Sequence, residues 1–239
     1  MAGYLVTRPE RDARETARRL REYGHEAVLV PLLEISELPG DPLDLAGVQA
    51  LIATSANGVR AFVTRQGGPP AGLRVLCVGD ATARAAQQSG LYDVISADGD
   101  VGDLARLAGD RLDPPAGALL HVAGSKVAGE LAGMLVALGF TYRREVIYDA
   151  KTADVLPGDA ARAIRDGTVE GVLLYSPRTA RTFDRLVTGA GLRDACAGID
   201  AHCLSANVAD AAGGPWRAVH IARHPTEDDL IADLAGRRL

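Results

Sequence analysis

Two stretches of the chain, "TSANGVRAF" and "YSPRTARTF", place hydroxyl, amide and guanidinium side chains directly after a short apolar run. Aligned without gaps, Ser55 meets Ser176 and Arg60 meets Arg181. A serine at this position is a good helix N-cap, and Pro177 suits the first helical position. The free backbone N–H groups and the dipole of such a helix attract a carboxylate or a phosphate. Both junctions are therefore candidate anion-binding sites.

A third junction of this kind follows the first predicted strand, where "TRP" places Arg8 as a cation held next to a proline. Gly58 in the first stretch allows close approach of a ligand. Serine and threonine also cap helices that bind nothing, so any single junction is compatible with a purely structural role. Three polar junctions, all at the carboxyl ends of predicted strands, favour a binding role because ligands of α/β sheets usually lie at that edge.

Tyr148 in "REVIYDA" could serve a different purpose. A tyrosine can donate a proton without carrying a charge, which suits a crowded anionic site. The alternative is a packed ring whose hydroxyl faces water. The residues by themselves leave both interpretations open.

Other kinds of site are not supported. "GDATARAAQQSG" is poor in glycine and is not a dinucleotide fingerprint, and the chain has no phosphate-loop motif. His220 and His224 have a metal-like spacing, but a strand that runs into a loop at Pro225 would not hold both on one face, so no metal is expected. The acidic run from Thr226 to Asp229 is interpreted as a capping box on the last helix.

Ten short runs are predicted to be strands, and they alternate with charged, alanine-rich segments of helical period such as 10–23, 56–65, 80–89, 126–138 and 177–188. The predicted strands are 4–7, 27–30, 50–53, 74–78, 93–96, 118–122, 145–148, 171–175, 201–204 and 218–222. Alternation on this scale predicts an α/β protein whose parallel sheets are covered on both faces.

An internal duplication indicates two related α/β domains. "LRVLCVGDATARAA" parallels "IDAHCLSANVADAA", in addition to the two serine-containing stretches. The order of the repeated pieces predicts one discontinuous domain, residues 1–34 plus 151–239, and a second domain, residues 48–142. Residues 35–47 and 143–150 would form a two-stranded linker, with a ligand-binding cleft between the domains.

Composition excludes several classes of protein. The chain has 239 residues, of which 47% are hydrophobic, and a formal net charge of -5. This balance argues against a nucleic-acid binder or a membrane-surface binder, which would show a basic excess. No apolar stretch is long enough for a signal peptide or a membrane span, so a cytoplasmic protein is expected. Cys77, Cys196 and Cys203 are too scattered for a disulfide framework and are predicted to be reduced thiols.

The chain resembles the uroporphyrinogen-III synthase family. The motifs that carry the resemblance are "TRP" after the first strand, "TSANGVRAF", "VLCVGDATARAA", "VIYDA", "YSPRTARTF" and "CLSANVADAA". Their order and spacing are those of the family over nearly the whole chain. The resemblance implies two α/β domains joined by a two-stranded linker.

The resemblance also implies an activity. The enzyme would be a cyclising hydro-lyase of tetrapyrrole (haem) biosynthesis that closes hydroxymethylbilane into a macrocycle while inverting the last pyrrole ring, with no cofactor and no metal. Loss of the terminal hydroxyl would give an azafulvene cation, and a spiro intermediate would rearrange to uroporphyrinogen III. The only partner expected is this small-molecule substrate, and a monomer is expected.

By position, the resemblance makes Tyr148 the catalytic proton donor to the leaving hydroxyl. The residues that would bind substrate carboxylates are Arg8, Ser55, Asn57, Thr82, Ser125, Lys126, Ser176, Arg178, Thr179 and Ser205. The rival interpretation is a non-catalytic cytosolic sensor that binds a small anion between two lobes, because its architecture would look the same from sequence.

Overall fold

A computed structural model describes residues 2–126 and 130–235. Strands and helices alternate along the chain, and the predicted α/β fold with parallel sheets is confirmed. The chain divides into two compact units, one formed by Met1–Glu34 with Lys151–Leu239 and the other by Ile35–Ala150. Each unit has its own sheet and its own core.

The first unit contains a five-stranded sheet in the order β11-β10-β9-β1-β2, with every neighbouring pair parallel. Its strands are β1 (Gly3–Val6), β2 (Glu26–Leu29), β9 (Gly171–Leu174), β10 (Asp200–Cys203) and β11 (Ala218–Ile221). Its helices are α1 (Glu10–Glu22), α6 (Gly158–Arg165), α7 (Pro177–Gly189), α8 (Ala206–Asp210) and α9 (Glu227–Ala235).

Helices cover both faces of this sheet. Successive side chains of a strand point to opposite faces, so neighbouring residues of one strand pack against different helices. Leu5 of β1 joins a buried cluster with Phe183 of α7, whereas Val6 joins a second cluster with Leu20 of α1 and Leu230 of α9. Strands buried on both sides explain why the sequence shows continuous apolar runs instead of alternation.

The second unit contains a six-stranded sheet in the order β3-β8-β7-β4-β5-β6. Its strands are β3 (Leu33–Glu37), β4 (Val48–Ala53), β5 (Arg74–Cys77), β6 (Val94–Ser96), β7 (Ala118–Gly124) and β8 (Tyr142–Thr152). Its helices are α2 (Ala56–Arg65), α3 (Asp80–Gln88), α4 (Val101–Arg111) and α5 (Leu131–Ala137). Short 3₁₀ turns lie at Pro114–Ala116 in this unit and at Asp194–Gly198 in the first.

This sheet is also buried on both faces. Leu51 and Phe62 belong to one cluster, and Ile52 and Leu104 belong to the cluster on the opposite face. Phe62 and Phe183, which occupy equivalent positions in the two serine-containing stretches, are both fully buried. Burying each of these rings contributes about 1.5–3 kcal/mol, so the phenylalanine of each stretch anchors its helix to a sheet.

The chain passes between the two units twice, within β3 and within β8. The two strands run antiparallel, because Leu38 N–H donates to Ile147 O and Ala153 N–H donates to Leu32 O. β3 is not among the ten predicted strands, although residues 35–47 were predicted as one half of a two-stranded linker. β8 is longer than the predicted run 145–148 because its outer residues are polar and show no apolar pattern. Residues 35–47 and 143–150, predicted as linkers, lie in the second unit, and the predicted domain boundaries stay a prediction.

The predicted helix 126–138 is matched in part by α5, Leu131–Ala137. The helix begins at Leu131, with Glu130 in a non-helical conformation before it, and Lys126 lies in a bend after β7. Residues 127–129 of this prediction lie outside the described residues. β7 continues to Gly124 because β8 pairs with it as far as Tyr148, so the strand takes two residues more than the apolar run indicated.

The three cysteines are buried and form no disulfide in the structure, and their reduced state stays a prediction. Burial raises the pKa of the Cys77 thiol to about 12 and that of Cys196 to about 11. In the part of the chain that the structure describes, no helix combines the length and the apolar character needed to cross a bilayer.

Candidate active site

The carboxyl edge of the second sheet brings together the ends of β8, β7, β4 and β5. Ser55 follows β4 and caps α2: its backbone is extended, and its Oγ accepts the Gly58 N–H at 3.1 Å. The helix therefore begins where the sequence predicts. Ser55 satisfies one of the N–H groups that an uncapped helix would leave without a partner.

Tyr148 of β8 directs its hydroxyl to this cap. Its Oη lies 2.8 Å from Ser55 Oγ, and either oxygen can be the donor. The residue is only 9% exposed, and its ring packs in the buried cluster that also contains Phe62 and Val122. The structure thus gives the Tyr148 ring a packed environment and its hydroxyl a polar partner.

Two glycines make room for the Tyr148 ring. A Cβ at Gly124 would stand 2.9 Å from the Cε2 and Cζ atoms of Tyr148 and 3.1 Å from its Oη. A Cβ at Gly58 would stand 3.5 Å from Cε1 of the same ring and 2.8 Å from Val122 O. Contacts below 3.0 Å force something to move, so both positions lack space for a side chain.

Four other residues predicted to bind substrate lie just after the strands of this sheet or in the first turns of the helices that follow them. Ser125 and Lys126, just after β7, are exposed, and Ser125 Oγ donates a very short hydrogen bond to Asp149 Oδ1. Asn57 lies in the first turn of α2 and its Oδ1 accepts from Arg60 Nη1 at 3.3 Å. Thr82 lies in the first turn of α3, where only 5% of the residue is exposed.

A buried histidine lies on the other face of the same sheet. His121 of β7 is fully buried, with its Nε2 3.0 Å from Thr54 Oγ1 and its Nδ1 2.6 Å from Tyr142 Oη. Burial first, and the Arg144 charge second, lower the pKa of His121 to about 4. A neutral imidazole therefore joins two hydroxyl groups, one of them on the residue that precedes Ser55.

The first unit has its own carboxyl-edge junctions, after β1, β9 and β10. After β9, Ser176 and Thr179 form a capping box: Thr179 N–H donates to Ser176 Oγ at 3.1 Å, and Ser176 N–H donates to Thr179 Oγ1 at 3.2 Å. Thr179 is buried, and its hydroxyl also donates to Ser176 O at 2.9 Å. Both hydroxyls thus stabilise the start of α7, and Pro177 occupies its first position as predicted.

Arg8, after β1, is held by a carboxylate of the chain itself. Its Nη1 lies 2.8 Å from Glu227 Oε1, its guanidinium carbon lies 4.7 Å from the centre of the Tyr175 ring, and only 17% of its side chain is exposed. Glu227 Oε2 also accepts from Arg19 Nη1 at 3.0 Å. Thr16 donates to the same carboxylate in a very short bond, and Tyr175 Oη lies 3.2 Å from it.

This cluster changes the acidity of its members. Burial by itself would raise the pKa of Glu227, but the Arg8 charge, the Thr16 hydroxyl and the Arg19 charge outweigh burial and hold that pKa below its ordinary value. Burial and the Glu227 charge raise the pKa of Tyr175 well above its ordinary value. At neutral pH the cluster therefore contains an ionised carboxylate and a protonated phenol.

The remaining predicted residues of the first unit are Arg178 and Ser205. Arg178 is half-buried in the first turn of α7. Ser205 has extended backbone before α8, but its side chain makes no capping hydrogen bond. The three serine junctions thus differ: Ser55 and Ser176 cap with their side chains, and Ser205 does not.

The part of the chain that the structure describes contains no group of three or more histidine, cysteine, aspartate and glutamate side chains that could hold a metal ion. His220 lies 3.1 Å from Asp200 and His224 lies 2.6 Å from Asp229, so each histidine pairs with a carboxylate. The capping box predicted at Thr226 is half formed: Asp229 N–H donates to Thr226 Oγ1, but the Asp229 carboxylate accepts from His224 instead.

Sequence reasoning missed Glu227 and His121. Glu227 was assigned to the start of the last helix, and its pairing with Arg8 spans 219 residues, which no local pattern reveals. His121 stands alone in the apolar run "ALLHVAG", and a polar residue inside such a run was the available signal.

Comparison with known proteins connects this geometry to one family. The family model of the uroporphyrinogen-III synthase HemD matches residues 14–232. A uroporphyrinogen-III synthase of Chlorobaculum parvum is 27% identical over 209 residues, which are 81% of this chain and 82% of the relative.

Two solved structures share the fold. Uroporphyrinogen-III synthetase from Helicobacter pylori 26695 is 16% identical with a TM-score of 0.64, and the match covers 100% of both chains. A mutant uroporphyrinogen III synthase from Thermus thermophilus is 18% identical with a TM-score of 0.57, and the match covers 99% of this chain and 97% of that one. At these identities the likeness concerns the fold alone.

Proposed function

The chain belongs to the uroporphyrinogen-III synthase family, and on that premise we propose that it cyclises hydroxymethylbilane to uroporphyrinogen III. The reaction inverts the terminal pyrrole ring and releases water. The observation that carries the proposal is the Tyr148 hydroxyl, held 2.8 Å from Ser55 Oγ at the carboxyl edge of the second sheet. An uncharged proton donor at a helix N-terminus suits a substrate rich in carboxylates.

In the proposed reaction, Tyr148 donates its proton to the terminal hydroxyl of the bilane. The C–O bond then breaks, water leaves, and the azafulvene cation remains on the substrate while the phenolate remains on Tyr148. The substituted carbon of the last ring attacks the exocyclic methylene carbon of that cation and gives the spiro intermediate, which rearranges. The proton released from the pyrrole as the macrocycle forms returns to Tyr148, so the enzyme is restored and the net change is loss of one water.

The acetate and propionate groups of the substrate need partners in a protein of net charge -5. We propose that the first turns of α2 and α7 supply backbone N–H groups, with Asn57 and Arg178 nearby. Neutral donors and single cations hold carboxylates without a strongly basic surface. Arg8 is not counted among these groups, because its guanidinium is already paired with the Glu227 carboxylate.

The proposal includes one copy of the chain acting on one substrate molecule, in line with the expected monomer. Sedimentation of the purified protein over a range of concentrations tests this part. A single species with the mass of one chain is the expected result, and a concentration-dependent increase in mass would contradict it.

The activity is tested by supplying the protein with freshly generated hydroxymethylbilane. The products are then oxidised and separated by chromatography. Without a catalyst the bilane closes to the uninverted type I isomer, so the isomer ratio separates enzymatic from spontaneous closure. Dominant type III, absent when the protein has been heat-denatured, is the expected result. Type I alone at the spontaneous rate would overturn the proposal and favour the non-catalytic anion sensor.

A further inference from the structure

The Ser55 hydroxyl can cap its helix and still donate a hydrogen bond to Tyr148. A serine hydroxyl has one proton and two lone pairs. One lone pair accepts the Gly58 N–H at 3.1 Å, and Tyr148 Oη is 2.8 Å away from the same oxygen. The Ser55 hydroxyl can therefore donate a hydrogen bond to the tyrosine oxygen while the helix cap stays intact.

The Tyr148 ring has little freedom to leave this partner. Gly124 and Tyr148 are register partners on β7 and β8, and the ring lies directly over the glycine. Ser125 N–H fixes the backbone on the same side by donating to Tyr148 O at 3.0 Å. The backbone of Gly124 does not have a positive φ, so space for the ring is the structural reason for a glycine at this position.

We propose that Ser55 is a positioning residue for Tyr148 whose hydroxyl donates a hydrogen bond to the phenolate formed during the reaction. This inference rests on the proposed function and assigns Ser55 a role other than binding a substrate carboxylate. When Tyr148 has given its proton to the leaving hydroxyl, a negative charge remains on Oη. The Ser55 hydroxyl, polarised by the Gly58 N–H at the start of α2, stabilises that charge without becoming charged itself.

Three roles for Ser55 predict different kinetics. A residue that only binds a substrate carboxylate would affect KM, because ground state and transition state share that contact. A residue that only caps α2 would act through stability. A donor to the phenolate acts on kcat and requires the Tyr148 oxygen, so its effect disappears when that oxygen is absent.

The experiment measures kcat and KM for type III formation in the parent, Ser55→Ala, Ser55→Thr, Tyr148→Phe and the double variant Ser55→Ala/Tyr148→Phe. We expect Ser55→Ala to lower kcat by about tenfold to a hundredfold, the range for a hydrogen bond to a charged group. KM should stay within about twofold of the parent. Ser55→Thr, which keeps the hydroxyl, should restore most of the lost kcat.

The decisive comparison is between the effect of Ser55→Ala on kcat in the parent protein and its effect in the Tyr148→Phe variant. In Tyr148→Phe protein, adding Ser55→Ala should change kcat by less than about twofold. Equal losses in both backgrounds, or a rise in KM with kcat unchanged, would overturn the inference. Asp100→Ala is the matched control for loss of a helix cap, because Asp100 caps α4 through Gly102 N–H and Asp103 N–H and does not contact Tyr148. A similar loss of kcat in Asp100→Ala would reduce Ser55 to a cap.

Gly124→Ala provides a second variant that leaves the Ser55 hydroxyl in place. The new methyl group forces the ring away from its position, so kcat should fall in the parent background and change little in Tyr148→Phe. An unchanged kcat in the parent background would contradict the positioning role. A parent protein that makes no type III isomer overturns the proposed function and this inference with it, whereas additive losses in an active parent overturn this inference alone.

Discussion

The guanidinium of Arg8 and the carboxylate of Glu227 lie 2.8 Å apart, and only 17% and 12% of their side chains are exposed. The pair joins the loop after the first strand to the first turn of the last helix, α9. Leu230 and Leu234 of that helix pack in the cluster that contains Val6 and Leu20. The ion pair therefore fixes the last helix against the beginning of the chain, at one carboxyl-edge junction of the first sheet.

Glu227→Gln should lower the free energy of unfolding by about 2–4 kcal/mol, because it removes the nearest counter-ion of the largely buried Arg8 and leaves only the Asp12 carboxylate, at 3.9 Å. Urea denaturation at neutral pH measures the change. Glu15→Gln is the control, since Glu15 pairs with Arg18 on the exposed surface of α1 and such pairs contribute little. Equal effects of the two substitutions would show that the buried pair contributes no more than a surface pair.

The same carboxylate predicts a pH dependence. Its folded pKa lies below the ordinary value of 4.5, so its contribution is fully present above that value and is lost as pH falls through the folded pKa. The stability difference between the parent and Glu227→Gln should therefore shrink as pH is lowered below about 4.5. A difference that stays constant down to the acid transition would contradict this assignment.

His121 predicts a second loss of stability, in a milder acid range. Its ordinary pKa is 6.5 and its folded pKa is about 4, so the unfolded chain takes up a proton before the folded one does. Stability from the neutral imidazole is present above pH 6.5 and declines as pH falls toward 4, by about 3 kcal/mol in total.

Replacement of this histidine tests the assignment. His121→Gln should lower stability at neutral pH and flatten the dependence between pH 6.5 and 4. His224→Gln is the matched control, because the His224 side chain is 65% exposed. Unfolding midpoints measured across this range would contradict the assignment if both variants kept the slope of the parent.

Ser176→Ala should destabilise the protein by about 1 kcal/mol, the usual cost of losing a side-chain cap. Ser205→Ala is a matched control at the equivalent strand end, because the Ser205 side chain makes no capping hydrogen bond. Thermal unfolding should therefore separate the two variants. If Ser176 also holds a substrate carboxylate, the KM of the Ser176→Ala variant should rise as well. An unchanged KM would leave Ser176 with only its capping role.

Tyr148→Phe should lower kcat clearly while leaving KM nearly intact, because the ring and its packing are retained and only the hydroxyl is lost. Isomer-resolved product formation under saturating substrate measures this change. Full turnover by the variant would return Tyr148 to a packing role, and a large rise in KM would indicate that the hydroxyl contacts the substrate in the ground state.

Local patterns predicted the parts of the fold that depend on local physics. Apolar runs located the buried strands, and Ser55 and Ser176 were correctly identified as caps because a serine after a strand competes for the free N–H groups of the next helix. β3 was predicted only as part of a two-stranded linker and the ends of β8 were missed, since strands stabilised by pairing with each other need no apolar run. Whether the predicted residues bind substrate stays a prediction.

The amino-acid sequence by itself determined the α/β class, the parallel sheets, the duplication and the position of the two capped junctions, because each of these follows from hydrophobic periodicity and helix-end chemistry over a few residues. Only the tertiary structure decided that Tyr148 meets Ser55 beside Gly124, and that Arg8 meets Glu227. These contacts join residues that are far apart in the chain. Their geometry depends on strand order and register, which no short segment encodes.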